Sequence, residues 1–164
     1  MRKYIYIFII LLASCKSKQP NVAKVEEVKK PETTAIKVRF VKMKFAEINT
    51  LDRNRAYNLG KRLLETCNTS KFKVFTKEEA TEKVILNATA EKISKTCQKI
   101  NSRNGKFIDL NLIEVIHDTE TDSYNFKYKI AYEKKYFERE LYVTINSDGK
   151  VAAISTKEIP VIHK

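Results

Sequence analysis

The sequence predicts an α+β fold, with about three N-terminal helices packed on one face of a twisted four-stranded antiparallel sheet, to which an N-terminal strand can add at the edge. Two observations carry this. Between roughly residues 50 and 104, apolar side chains recur every three or four positions, the period of a helix buried on one face. From Phe107 onward they recur every second position, between polar turns at Asp118–Ser123 and Asp148-Gly149, as hairpin-linked strands require.

The elements follow in order. Ile36-Lys37-Val38-Arg39-Phe40 alternates apolar with basic residues, and Val41-Lys42-Met43-Lys44-Phe45 continues in the opposite phase. That pattern suits either a strand with a bulge near Phe40-Val41 or an edge strand guarded by its lysines. After Asn49 or Thr50, both able to cap, Ala56, Leu59, Gly60, Leu63 and Cys67 fall on one helical face. Phe72-Lys73-Val74-Phe75 forms a short extended connector. Thr76-Lys77-Glu78-Glu79 reads as a capping box that opens a second helix with Ala80, Val84 and Ala88 as its stripe. A third helix starts at Thr89, carries Ile93, Cys97 and Ile100, and stops at Asn104-Gly105, where glycine suits a cap of positive φ.

Four strands complete the chain. Phe107–His117 is strongly apolar. Tyr124, Phe126, Tyr128, Ile130 and Tyr132 alternate with Asn125, Lys127 and Lys129, giving one buried and one wet face. Phe137, Arg139, Leu141, Val143 and Ile145 form the third run, and Asp148-Gly149 turns it into Val151–Ser155.

The N-terminus has a different character. Arg2 and Lys3 precede an unbroken apolar run from Tyr4 to Ala13, which ends in Leu12-Ala13-Ser14-Cys15. Basic start, short apolar core and small residues before a cysteine resemble the signal peptide and lipobox of bacterial lipoproteins. A membrane-spanning helix needs ~20 apolar residues, and this run is roughly half that before Lys16 and Lys18. The resemblance implies cleavage before Cys15, which becomes the lipidated first residue. It also implies a place in the cell envelope. Lys16-Ser17-Lys18-Gln19 lacks both the Asp that retains such proteins at the inner membrane and the acidic cluster of surface-exported ones. The expected location is the periplasmic face of the outer membrane of a Gram-negative cell. Residues 15–34, with Pro20, Pro31, many charges and no aromatic residue, read as a flexible tether spanning roughly 25 Å. The expected organisation is therefore signal peptide 1–14, lipidated tether 15–34 and one domain 35–164.

Charge narrows the partners. The net charge is +12. Near an anionic bilayer each basic residue contributes about 1 kcal/mol, so a membrane surface is one partner; a merely solvated Lys-rich surface is the alternative. Nucleic acid is not expected, since export removes it and no helix-turn-helix, zinc-finger or RNA-recognition motif is present.

Chemistry-bearing motifs are sparse. His117 and His163 have no ligating neighbours at metal spacing, so no metal is expected. The three glycines form no phosphate loop, no nucleophile motif is present, and no cofactor is expected. With Cys15 lipidated, Cys67 and Cys97 are an even pair on helix faces that should meet. They form either a disulfide or two buried thiols.

Order and pattern from Asn49 to Lys157 add a family. Capped helices, a Thr89-Ala90-Glu91-Lys92-Ile93 helix ending in Asn104-Gly105-Lys106-Phe107, and a meander closing on Asn146-Ser147-Asp148-Gly149-Lys150-Val151-Ala152 resemble the cystatin-like nuclear transport factor and ketosteroid isomerase superfamily. The resemblance is greatest to envelope members without an assigned function. It implies a sheet curved round a helix, a cavity at the open end, and dimerisation through the sheet. Tyr128, Tyr132 and Arg139 are the inward-facing candidates for a small-molecule pocket, and no catalytic position carries over. Three functions follow, in order: an envelope-tethered binding or interaction module, a small-molecule enzyme of ketosteroid isomerase type, and a purely structural lipoprotein.

Overall fold

The structure, a computed structural model, describes residues 38–160. The expected signal peptide 1–14, Cys15, the expected tether 15–34, Ile36-Lys37 and His163 lie outside the described residues. The described residues belong to one compact unit.

Three helices, α1 (Thr50–Thr69), α2 (Glu82–Asn87) and α3 (Ala90–Asn104), precede a long antiparallel meander. Its strands are β2 (Phe107–Asp118), β3 (Ser123–Tyr132), β4 (Glu138–Ile145) and β5 (Val151–Ile159). A short β1 (Phe40–Lys42) joins the β2 edge, giving an open five-stranded sheet in the order β1-β2-β3-β4-β5. This is the expected α+β class with the additional edge strand.

One open alternative is decided and one element differs from the sequence reading. The N-terminal strand is the edge strand of the two alternatives, without a bulge: Phe40, Val41 and Lys42 pair in unbroken register with Asp118, His117 and Ile116. Its charges are spent on the neighbouring strand and turn, Arg39 forking onto Asp118 and Lys42 meeting Glu114 at 2.9 Å. The second helix starts not at Thr76 but after Thr81. Half of the capping box does form, because the Thr76 N–H donates to the Glu79 carboxylate at 3.0 Å. The following residues are then captured by the sheet. Val151 N–H donates to the Glu79 carbonyl and Thr81 N–H to the Val151 carbonyl, at 3.0 and 2.9 Å. Pairing with β5 has overridden the local helix signal.

Elsewhere the caps act as expected. The Asn49 side chain accepts the Leu51 N–H, Thr89 accepts the Lys92 N–H, and α3 ends on Gly105 with φ 72°.

One face of the sheet carries the core. Val115, Phe126, Leu141, Val143, Ile145 and Val151 are completely buried there, beneath Ala56, Leu59 and Leu64 of α1. Gly60 lets α1 lie directly on β4: a Cβ at this position would stand 2.5 Å from a Leu141 methyl. The opposite face is an ionic ladder, with Lys127–Glu140 at 3.1 Å and Lys129–Glu138 at 2.7 Å. The main core runs from Ile48 to Val151, so residues 36–164 carry a complete core and can fold without the N-terminal segment.

Candidate functional site

The helices cover the sheet unevenly. α1 packs on β2, β4 and β5, whereas α3 packs on α1. Cys67 of α1 and Cys97 of α3 are joined in a disulfide, with Cα atoms 4.8 Å apart, at the centre of a small second core that includes Ile93. Asn101 reinforces the pairing by donating to the Cys67 carbonyl at 2.7 Å. With α3 tied to α1 and α2 held at one end of β5, a half-open groove of about 360 Å³ remains between the helices and that strand.

The groove is mainly apolar. Leu63, Leu64 and the disulfide form its back, Val84 of α2, the following Ala88, and Ile93 and Ile100 of α3 its sides, and the five consecutive residues Ala152–Thr156 its floor. Its titratable lining among the described residues is Lys83 and Lys92, with no carboxylate, histidine or tyrosine. A second hollow of about 230 Å³ continues along α3 past Thr96 and Ile100 and is bordered by Lys95, Lys99, Arg103 and Arg139. Lys95 is paired with Glu91 at 2.8 Å, and Arg103 and Arg139 share Glu158 at 2.9 and 3.1 Å. Lys83, Lys92 and Lys99 have no carboxylate partner among the described residues, so the rim presents three uncompensated cations beside an apolar trough.

The three residues anticipated for a pocket are not gathered in one. Tyr128 and Tyr132 sit in the main core and line neither cavity: Tyr128 packs against Tyr57 of α1, and Tyr132 meets Phe107 of β2 edge-on. Burial raises both phenols, that of Tyr132 to about 12, and neither hydroxyl has a hydrogen-bond partner among the described residues. Arg139 does border the second hollow, but as a structural cation: it donates to Glu158 and to the Thr156 hydroxyl on β5, both at 3.1 Å. His117 is paired with Asp122 at 2.9 Å across the β2–β3 hairpin and stacked on Tyr124. Among the described residues no three His, Cys, Asp or Glu side chains gather as a metal site would need. Nor is any described helix long and apolar enough to cross a membrane.

The groove was not anticipated from the sequence. Its walls were legible as the stripes Val84, Ala88, Ile93, Cys97 and Ile100, but those stripes were expected to be closed by the sheet. The chain matches no protein-family model, no curated protein and no solved structure.

Proposed function

We propose that this protein is a lipid-anchored component of the bacterial envelope, tethered through Cys15, whose folded unit is a non-catalytic binding module. The anchor rests on the lipobox-like Leu12-Ala13-Ser14-Cys15 behind its basic, apolar leader. The fold reading is the cystatin-like cone, supported by three helices followed by an antiparallel meander with its apolar face under α1. The binding reading rests on one observation, the half-open apolar groove between α2, α3 and β5 whose rim carries lysines without a carboxylate partner among the described residues. An isomerase of the ketosteroid type needs an acid or base deep in its cavity, and this groove offers only lysines at its border.

Two measurements test the reading. Labelled palmitate fed to cells should mark the wild-type chain and not Cys15→Ser; equal labelling removes the anchor. Native mass spectrometry of the full chain, released from its own envelope in mild detergent, should show a bound component at stoichiometric level that is lost in Ala88→Trp, which fills the groove. A clean mass for the wild type and no partner on cross-linking would leave the binding reading without support.

A further inference from the structure

We infer that the groove receives an extended acidic–apolar peptide segment of a partner protein, which adds to β5 as a sixth strand. This rests on the binding-module reading and names the ligand class of the same groove.

The edge of β5 carries the argument. β5 ends the sheet, and among the described residues its outer side is paired only at Val151, through the two hydrogen bonds to Glu79 and Thr81. This contact is the single isolated parallel bridge Ala80–Val151. The chain thus begins a sixth strand and abandons it where α2 starts at Glu82. From Ala152 to Ile159 no described element pairs with this edge. A free strand edge of this length is a liability unless it is shielded, charged or used. The opposite edge is covered only in part, by β1 pairing with Ile116–Asp118 and by the Met43 N–H donating to the Val115 carbonyl, whereas the apolar groove lies against β5.

The groove is shaped for such a guest. A cavity touching one face of a strand is bordered by every second residue, whereas this one is bordered by five in succession, Ala152–Thr156. It therefore meets the edge itself, with its backbone donors and acceptors. A peptide laid there at the ~4.8 Å spacing of paired strands turns alternate side chains toward the helices. Leu63, Ile93 and Ile100 offer apolar contact to those side chains, while Lys83, Lys92 and Lys99 offer charge to carboxylates. An acyl chain with an anionic head would use the apolar lining and the lysines but not the strand edge. The unpaired edge decides for the peptide.

The test uses residues 36–164, which carry their own core, and the peptide acetyl-Val-Glu-Val-Glu-Val-Glu-Val-amide as probe. Saturating peptide should slow amide hydrogen exchange in Ala152–Ile159 by roughly tenfold or more. The fully N-methylated peptide, which cannot pair, should not bind. Replacing the exposed Lys83, Lys92 and Lys99 together by Glu should weaken binding at least about tenfold without altering the thermal midpoint by more than a few degrees. Binding without protection of β5, or equal binding of the N-methylated peptide, overturns strand addition. If no peptide binds at about 1 mM while dodecanoate does, or while native protein carries another component, the inference fails and the binding-module reading stands. If dodecanoate is also refused and the native mass is clean, both fail.

Discussion

Arg62 of α1 and Glu79 meet through a two-point fork, Nη1 to Oε1 at 2.8 Å and Nη2 to Oε2 at 2.7 Å. The same Glu79 carboxylate accepts the Thr76 N–H, and the Glu79 carbonyl accepts the Val151 N–H. One residue therefore ties α1, the approach to α2 and the start of β5 together. Its ion pair helps hold α2 at one end of the groove.

This fork makes stability pH-dependent. The Arg62 guanidinium, first among the causes, pulls the Glu79 carboxyl from 4.5 down to about 2. A lowered folded pKa means that the contribution is complete above about pH 4.5 and is lost as pH falls toward 2. After allowance for solvent screening at this partly exposed pair, the loss should be roughly 1–2 kcal/mol. Urea melts between pH 7 and pH 2 should show it for wild type and not for Glu79→Gln, which should begin less stable. An identical acid limb in both proteins would assign the effect to other carboxylates.

The Cys67–Cys97 bridge closes a loop of sequence separation 30. Loop-closure entropy assigns it about 3–4 kcal/mol. Reduction, or Cys67→Ala with Cys97→Ala, should lower the denaturation free energy by that order and loosen α3 from α1. Thiol titration of denatured, unreduced protein should find neither cysteine free. Two free thiols would favour the alternative of paired buried cysteines.

Gly60→Ala should destabilise the fold although it improves helix propensity. The added methyl would meet a Leu141 side chain that is itself completely buried. Overpacking costs about 1–3 kcal/mol against a propensity gain of up to about 1 kcal/mol. Chemical denaturation should give a net loss, whereas a net gain would mean that Leu141 moves aside freely.

Tyr128→Phe and Tyr132→Phe should stabilise. Each removes a buried hydroxyl without a partner among the described residues while keeping the ring, including the edge-on contact of Tyr132 with Phe107. Removing such a group relieves a desolvation cost on the order of 1 kcal/mol. A loss of similar size in either variant would show that its hydroxyl is satisfied in solution.

Much of the fold was written locally. The caps Asn49 and Thr89, the stop at Gly105 and the alternation of Phe126, Tyr128, Ile130 and Tyr132 lie within a few residues of what they control, so short-range periodicity suffices to find them. The same alternation placed both tyrosines inward but could not say whether inward meant core or cavity. That depends on where α1 lies across the sheet. The start of α2 escapes local pattern for a related reason: the Thr76–Glu79 signal is local, while its competitor, Val151, lies far along the chain.

The sequence by itself determined the helix and strand periods, the hairpin turns and the pairing choices open to Cys67 and Cys97, because each follows from neighbouring residues and the geometry of one element. Only the tertiary structure decided that α3 packs on α1 and leaves the outer edge of β5 beyond Val151 without a partner among the described residues, that Arg139 is neutralised by Glu158, and that Lys83, Lys92 and Lys99 surround an open groove. Those outcomes arise from the competition of distant surfaces for burial, and no local pattern along the chain encodes which surface is left over.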